Sequence, residues 1–589
     1  MSVNAETPSL AHALHKAFFL SASRPFLGYS NQHSKSTASE NQDTVFIWLT
    51  YGEVLQKVLT LSNSLRQLSS PKRSVVGICA DNSVEWLLTD FSSCLNDYLT
   101  VGLHNSWNEE TLLYVAQSAD INFVFCMPSD VEKFLNLSLS CRSIHTIVVI
   151  GETSLHYNGI DSIETRKDLN AINDKIRILS FSSLLERYHR NGSDSEVGQE
   201  ENFSSCIGEL TTMTGAGGAI SSWFGLHDPI LEGDSDQIFT LMYTSGTTGN
   251  PKGVAVTKSR WLVDAKSNTF PGQSDPTVVS YMSLAHGGDR GVCWQACFAG
   301  ARIGLINTAQ HDAMTLLSNI KAVRPTFLLC MSYLWCEYFA HFKRDLEQLV
   351  LARMLQNKEV TGMMLEEYHN CFSKETDIDQ INHVESITDI TDPRLEICIA
   401  AMRQQEDWGS FLDSAASVLG IKDLLLLEWY DHFGGRVFVP VTGGGHTSEE
   451  VLQWMVQVFM PPTATLKEQS SRVKNAYGLS EFPGISVNGI VSSLIELELV
   501  PVPEHDVYDS ASSDSGDETR VICRRGERFD PSTALAAGDA SDMISAECRR
   551  MGEIRVRHID PSVQIRYWGE DRATAAAVRD GWFYTGALA

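Results

Sequence analysis

Residues 238–254 have the sequence IFTLMYTSGTTGNPKGV. Its first six residues are typical of a β-strand because most of them are apolar, aromatic or β-branched. The residues that follow combine three glycines, four hydroxyl side chains and Lys252. Glycine allows tight turns and a close approach of the backbone to a ligand, and consecutive N–H groups in such a turn form a concave anion site. The stretch therefore predicts a strand that leads into a phosphate-binding loop.

The candidate ligands in this loop are its backbone N–H groups and hydroxyls, and Lys252 adds a point charge. The residues concerned are Thr244, Ser245, Gly246, Thr247, Thr248 and Gly249. The spacing GxxxxGK[ST] is absent, so this is not the phosphate loop of the nucleoside triphosphatases. A plain glycine- and serine-rich hairpin turn is the alternative, and the length of the pattern, residues 244–254, argues against it.

The chain has 589 residues, of which 43% are hydrophobic and 20% are charged. This length indicates several packed subdomains, and this composition indicates a folded protein. The net charge of -27 argues against nonspecific binding to nucleic acid. A bound polyphosphate would therefore need local donors and a metal ion.

The first thirty residues contain no apolar segment of the kind that signal peptides have, and the apolar runs elsewhere are too short to span a bilayer. The 13 cysteines contain no CxxC pair and are interpreted as reduced thiols. We therefore expect a cytoplasmic protein without a transmembrane segment.

Strand-like and helix-like segments alternate in the first part of the chain. Apolar residues recur at helical spacing in residues 50–68, and a β-branched run follows at 75–79. Asp81-Asn82-Ser83 is a natural helix start for residues 84–95. This alternation predicts an α/β fold with a largely parallel sheet. Two polar segments, at 191–223 and 506–541, are predicted to be surface insertions.

Further motifs follow the same order as in a known family. They are TYGE at 50–53, DNSVEW at 81–86, SLAHGGDR at 283–290, TGGGH at 442–446, NAYGLSE at 475–481, GEIRV at 552–556 and GWFYTG at 581–586. With the loop at 244–254, they resemble the adenylate-forming (AMP-binding) superfamily over nearly the whole chain. The resemblance implies that residues 244–249 hold the β- and γ-phosphates of ATP, and that Lys252 lies nearby on a mobile loop.

The motif at 283–290 resembles the PLAHxxER block of the long-chain acyl-CoA synthetases. In that branch the histidine lies beside the acyl pocket, which makes His286 the candidate pocket residue. The alternative is a hydrogen-bonded structural histidine.

The two later motifs resemble the adenine and metal sites of the family. Gly443, Gly444 and Gly445 would pass close to adenine, although a turn after a strand is an equally good interpretation. Asn475, Ala476 and Gly478 belong to the second motif, in which Tyr477 would stack on adenine. Ser480 would contact the α-phosphate and the acyl carboxylate. Glu481 would bind Mg²⁺ with Thr244 or Thr247, because hard cations prefer oxygen ligands.

The resemblance also implies a domain plan. Residues 1–44 would be an N-terminal extension, and residues 45–589 would form the large adenylation domain. This domain would have two sheet-and-helix subdomains and a distorted β-barrel. The family's small C-terminal domain is expected to be absent, and Ala587 stands where the family has an aspartate that binds ribose.

The expected function is ATP-dependent activation of a carboxylic acid, a long-chain fatty acid by resemblance, as acyl-AMP and then acyl-CoA. Thr244, Lys252 and Glu481 would carry the chemistry, with ATP, Mg²⁺ and CoA as cofactors or co-substrates. The alternatives are a nucleotide- or acyl-binding pseudoenzyme, the adenylation part of a carboxylic acid reductase, and a module completed by a partner chain. The expected partners are small molecules and not nucleic acid. Peripheral attachment to an internal membrane is compatible with a fatty acyl substrate.

Overall fold

The computed structural model describes most of the chain. The described residues are 9–30, 44–68, 73–151, 176–191, 237–244, 250–266, 270, 273, 275–307, 312–354, 403, 408–460, 472–501, 521–523, 552–559, 563 and 565–588. They fall into two compact units, of which the first comprises Met1–Gln310 with Ala476–Ala589 and the second His311–Asn475. The predicted surface insertions at 191–223 and 506–541 lie outside the described residues, except for Asn191 and Val521–Cys523.

The helices and strands alternate over much of the described chain. The helices are α1 (Leu10–Leu20), α2 (Tyr51–Leu68), α3 (Val84–Leu95), α4 (Glu109–Ala119), α5 (Val131–Ser140), α6 (Phe181–Asn191), α7 (Lys258–Ala265), α8 (Gly287–Phe298), α9 (Ala313–Val323), α10 (Ser332–Met354), α11 (Trp408–Val418), α12 (Lys422–His432), α13 (Glu449–Phe459) and α14 (Asp571–Ala577). The strands are β1 (Pro25–Ser30), β2 (Phe46–Thr50), β3 (Val75–Cys79), β4 (Leu99–Gly102), β5 (Phe123–Cys126), β6 (Thr146–Val149), β7 (Arg177–Ser180), β8 (Ile238–Thr244), β9 (Lys252–Thr257), β10 (Thr277–Ser280), β11 (Arg302–Leu305), β12 (Phe327–Met331), β13 (Val439–Gly443), β14 (Lys474–Tyr477), β15 (Ser486–Val487), β16 (Ile490–Val491), β17 (Ile495–Pro501), β18 (Val521–Cys523), β19 (Gly552–His558), β20 (Val578–Arg579) and β21 (Trp582–Leu588).

The predicted parallel sheet is confirmed in the first unit. Its strand order is β7-β6-β5-β3-β4-β8-β9, in which β3 to β8 are parallel and β9 is antiparallel to β8. Helix α3 begins where the sequence predicts it, because the Ser83 hydroxyl caps the helix by accepting from the Trp86 N–H. Strands buried on both faces between crossover helices explain the continuous apolar runs at 75–79 and 123–126.

A second group of strands in the first unit has the order β10-β11-β1-β2. Helix α2 follows it and starts with a reciprocal cap, in which the Thr50 N–H donates to Glu53 Oε2 at 2.7 Å and the Glu53 N–H donates to Thr50 Oγ1 at 3.2 Å. The motif TYGE is thus a helix start. The boundary at residue 45 stays a prediction, although β1 and α1 precede it and bury Phe26 and Phe18 completely.

The C-terminal part of the first unit is an antiparallel sheet with the order β18-β17-β19-β21-β20. This sheet stands where the resemblance implies a distorted barrel. Within the residues that the structure describes, β18 and β20 are edge strands and the sheet does not close. The motifs GEIRV and GWFYTG are therefore strands β19 and β21 of an open sheet.

The second unit contains the parallel strands β12 and β13 and the first two residues of β14, with Phe327 opposite Val439 and Val441 opposite Lys474. Its core is aromatic. Trp335 is fully buried and donates its indole N–H to the carbonyl of Val441 at 3.1 Å, which fixes helix α10 to the sheet. Across the ranges described in the two units, no helix is both long and apolar enough to cross a membrane.

Candidate active site

The hairpin of β8 and β9 places the two ends of the predicted phosphate loop side by side. Thr244 is opposite Lys252 in the antiparallel register, and its hydroxyl donates to the Lys252 carbonyl at 3.5 Å. The Lys252 side chain is exposed. The predicted ligands Ser245, Gly246, Thr247, Thr248 and Gly249 lie outside the described residues. The structure therefore describes the two strand ends between which the predicted loop lies.

Gly253 is required by packing next to this loop. A Cβ atom at this position would lie 2.9 Å from Cζ of the Tyr243 ring. The Tyr243 hydroxyl is 2.7 Å from the Ser118 hydroxyl, and burial raises the pKa of Tyr243 to about 12. The ring of Tyr243 is thus held against the backbone of β9. This contact fixes the backbone next to Lys252, the first residue of that strand.

Glu481 is the predicted metal ligand, and its carboxylate is held by a tyrosine from the C-terminal part of the chain. The side chain of Glu481 is buried, with 9% exposed, and Oε1 accepts a hydrogen bond from the Tyr567 hydroxyl at 2.8 Å. Burial raises the pKa of Tyr567 well above its usual value, and the neighbouring Glu481 charge raises it further. Tyr567 is therefore a neutral donor, as this contact requires.

Tyr567 is also attached to the strand that follows the phosphate loop. It forms an antiparallel bridge with Val254. On either side of the bridge, the Trp568 N–H donates a hydrogen bond to the Gly253 carbonyl at 2.7 Å, and the Ala255 N–H donates to the Arg566 carbonyl at 2.9 Å. The ammonium of Lys252 lies 5.4 Å from the centroid of the Tyr567 ring. The structure thus brings Lys252 and Glu481 to one tyrosine.

The sequence did not assign a role to Tyr567, because 86 residues separate it from Glu481. It also lines a cavity of about 910 Å³, together with Ala255, Phe482 and Phe583. Lys252 and Glu481 are not among the residues that line this cavity, so its volume does not by itself indicate a nucleotide site.

Residues 475–480 form the strand and turn before Glu481. Asn475 is opposite Thr442 in the second unit, whereas Ala476 and Tyr477 pair with β15 in the first. Gly478 is required by the turn, since a Cβ atom there would lie 2.6 Å from the backbone N of Gly484. Ser480 is partly buried. The structure places these residues next to Glu481 in the chain, and their contacts with a nucleotide stay predictions.

Gly443 ends β13 in the second unit and residues 444–445 form the bend that follows it, as the simpler interpretation predicts. Gly444 has φ of 73°, a conformation that glycine adopts at little cost. A Cβ atom would lie 2.3 Å from the Met331 Cε at Gly444 and 2.5 Å from the Ser332 Oγ at Gly445. The side chains of Met331, the last residue of β12, and Ser332, the first residue of α10, thus fill the space over this turn. Its predicted role near adenine is untested.

The motif at 283–290 divides into a buried part and an exposed part. The guanidinium of Arg290 forms a fully buried ion pair with Asp90, with Nε donating to Oδ2 at 2.9 Å. It also donates to the hydroxyls of Thr240 and Thr100, both at 2.7 Å. Arg290 therefore connects helices α3 and α8 to strands β4 and β8, and so supports the strand that carries the phosphate loop.

Asp289 belongs to the same buried part. Its carboxyl accepts from the Ser280 hydroxyl at 2.6 Å and from Asn82 Nδ2 at 3.3 Å. Burial raises the pKa of Asp289 to about 7. Asn82, from the motif DNSVEW, also accepts from the Leu284 N–H at 3.1 Å, so two motifs hold each other in place.

His286, the predicted pocket residue, lies at the exposed N-terminus of α8. Its ring centroid is 4.2 Å from that of His104, which is buried and packs on Trp107 at 4.6 Å. Burial, and secondarily His286, lowers the pKa of His104 to about 4, and partial burial lowers the pKa of His286. Both rings are thus uncharged at neutral pH and present an aromatic surface.

The described residues fit a magnesium ion that arrives with a nucleotide. Within them there is no group of three or more His, Cys, Asp or Glu that could hold a metal on its own. Mg²⁺ in nucleotide sites needs only one or two carboxylates, because phosphates and water supply its other ligands. Glu481 offers one carboxylate oxygen that lacks a hydrogen-bond partner in the described part of the chain.

Comparisons with known proteins assign the chain to a family. The family of AMP-binding enzymes matches residues 30–510, and the chain belongs to this family. Long chain acyl-CoA synthetase 6, peroxisomal, of Arabidopsis thaliana is 23% identical over 493 residues, which are 81% of this chain and 55% of that protein. Long-chain-fatty-acid–CoA ligase 1 of Homo sapiens is 25% identical over 297 residues, which are 49% of this chain and 36% of that protein. The chain thus spans about half the length of the first relative and about a third of the second.

Solved structures confirm the predicted fold. The A-PCP didomain of carboxylic acid reductase from Segniliparus rugosus in complex with AMP has a TM-score of 0.63 at 14% identity, covering 99% of this chain and 63% of that one. The luciferase-like enzyme from Zophobas morio has a TM-score of 0.55 at 13% identity, covering 100% of this chain and 94% of that one. At these identities the likeness shows the α/β fold of adenylate-forming enzymes.

Proposed function

We propose that this chain carries the ATP site of an acid–thiol ligase that activates a long-chain fatty acid. The observation that carries the proposal is the assembly of Lys252, Tyr567 and Glu481 beside the hairpin that frames the phosphate loop. The curated relatives named above, acyl-CoA synthetases and ligases of long-chain acids, support the choice of substrate.

The reaction has two steps. A carboxylate oxygen of the acid attacks the α-phosphorus of ATP, the bond to the bridging oxygen breaks, and pyrophosphate leaves. CoA then loses its thiol proton to solvent, the thiolate sulfur attacks the acyl carbon, and AMP leaves with the electron pair of the broken C–O bond. The first step moves negative charge onto the departing phosphates, so the site needs positive charge and donors at that end.

The residues of this chain supply those groups. Thr244 and residues 245–249 would hold the β- and γ-phosphates, and the exposed Lys252 would place its charge beside them. Glu481 would hold Mg²⁺ with Thr244 or Thr247, and this ion offsets the charge of pyrophosphate. Tyr477 and residues 443–445 would hold adenine, Ser480 the α-phosphate, and the neutral ring of His286 the acyl chain.

One residue favours a second candidate, a protein that binds nucleotide without turnover. Ala587 stands on β21 where the family has its ribose-binding aspartate. The loss of hydrogen bonds to a charged acceptor costs about 1.5–3 kcal/mol, which weakens nucleotide binding by one to two decades. Retention of Lys252 and Glu481 favours the enzyme.

The direct test is ATP–pyrophosphate exchange with Mg²⁺ and fatty acids of eight to twenty carbons. We expect acid-dependent exchange that Glu481→Gln abolishes and that is fastest with acids of sixteen or more carbons. The matched control is Glu498→Gln, which changes another buried glutamate, 3% exposed and paired with Arg555. ATP binding without exchange would favour the binding protein, and the absence of both would contradict the nucleotide site.

A further inference from the structure

Two residues to which the sequence assigns no role hold Glu481, one at its backbone and one at its side chain. Its backbone carbonyl accepts from Arg260, whose side chain is buried, and its Oε1 accepts from Tyr567. The Nε atom of Arg260 lies 3.8 Å from Oδ2 of Asp264, and its Cζ atom lies 5.8 Å from the centroid of the Phe482 ring. The remaining freedom of the carboxylate is rotation about its side-chain bonds, and the tyrosine hydroxyl restricts that rotation.

We propose that Tyr567 is a positioning residue that orients the Glu481 carboxylate toward a nucleotide-bound divalent cation and keeps it apart from Lys252. The inference deepens the proposed function and rests on it.

The position of the Tyr567 hydroxyl is set by the backbone. The residue is bridged to Val254, and the backbone bonds on either side join it to β9. The oxygen that donates to Glu481 is therefore placed by the same strand that carries Lys252. A movement of β9 would move the donor with it, which couples the geometry of the Glu481 carboxylate to that of Lys252.

The ring of Tyr567 has a separate consequence for charge. Lys252 lies over the ring and Glu481 accepts from the hydroxyl, yet no ion pair between these two residues occurs in the described part of the chain. An ion pair would use the lysine charge and the carboxylate oxygen that the substrate needs. Tyr567 contacts both residues and so leaves the ammonium for phosphate and the second carboxylate oxygen for the cation.

Carboxylates that bind metals are generally held by such hydrogen bonds, and loss of the outer partner usually lowers metal affinity by 10–100-fold. Mg²⁺ is especially sensitive because it requires nearly ideal octahedral geometry. The Tyr567 hydroxyl should therefore affect the dependence on Mg²⁺ more than the affinity for ATP.

The test measures ATP binding by calorimetry while the concentration of Mg²⁺ is varied. For Tyr567→Phe we expect the Mg²⁺ concentration at half-maximal binding to rise by about tenfold, with ATP affinity at saturating Mg²⁺ close to that of the wild type. Tyr567→Leu removes the ring as well, so it should also weaken ATP binding at saturating Mg²⁺. Unfolding midpoints of both variants show whether they fold.

The matched control is Tyr584→Phe. This change removes a hydroxyl that accepts from Arg555 Nη1 at 2.8 Å in the C-terminal sheet, so it also costs one hydrogen bond. We expect wild-type dependence on Mg²⁺. A Tyr567→Phe protein with wild-type dependence would overturn the inference and leave the proposed function intact. A wild-type chain that binds no ATP would overturn both.

Discussion

Glu481 and Asp289 are acidic residues of two motifs, and both are buried, yet their surroundings differ. Asp289 is enclosed by Ser280 and Asn82, which both donate to it, and burial raises its pKa to about 7. Glu481 has one donor, Tyr567, and an oxygen without a hydrogen-bond partner within the described residues. Motif residues of the same chain can therefore be buried for different reasons. Asp289 has its carboxyl occupied within the fold, whereas Glu481 keeps one oxygen available for the cation proposed above.

The largest loss of folding stability is expected from a change at Arg290, which belongs to the buried part of the motif at 283–290. Arg290→Met would leave the Asp90 carboxylate buried and unpaired, which usually costs about 3–5 kcal/mol in the free energy of unfolding. Urea unfolding measures this loss. The control is Arg557→Met, because its pair with Glu496 is 43% and 40% exposed and should be worth at most about 1 kcal/mol. Equal losses for the two variants would contradict the structural role of Arg290.

A second prediction concerns the proton on Asp289. The pKa of this group is 3.8 in the unfolded chain and about 7 in the folded protein, so between these values the folded state binds more protons. Its contribution to stability is complete below pH 4 and is lost as the pH rises to 7, by at most about 1.4 kcal/mol per pH unit. Asp289→Asn resembles the protonated form and should remove this loss.

The measurement is the difference in free energy of unfolding between the wild type and Asp289→Asn at pH 5 and pH 7.5. Other titrating groups cancel in this difference. We expect the variant to gain stability relative to the wild type as the pH rises. A difference that stays constant would mean that Asp289 is ionised throughout this range in the folded protein.

The sequence predicts well what depends on neighbours in the chain. Strand Val75–Cys79 and helix Val84–Leu95 have the predicted bounds, because a β-branched run and the Ser83 cap are local signals. The antiparallel C-terminal sheet is different. Whether it closes depends on pairing between distant strands such as β17 and β19, and the described part of it is open.

The candidate site shows the same limit. The sequence singles out Glu481 as a candidate because its motif is contiguous, whereas Tyr567 and Arg260 reach it across 86 and 221 residues. No periodicity or spacing in one sequence indicates such contacts. The buried roles of Asp289 and Arg290 were missed for the same reason, since their partners Asn82 and Asp90 lie about 200 residues away.

The smallest effect is expected at His286, which lies in the same motif as Asp289 and Arg290 but is exposed. His286→Ala should leave the free energy of unfolding unchanged, because little is lost from the core. If the ring borders the acyl chain, the variant loses binding energy of about 1 kcal/mol, and the KM for a sixteen-carbon acid rises about fivefold with kcat unchanged. An eight-carbon acid should show a smaller rise. His104→Phe is the control, because it keeps an uncharged ring against His286 and should preserve the KM. An equal change for both acids, or a loss of stability, would instead assign His286 a structural role like that of its motif neighbours Asp289 and Arg290.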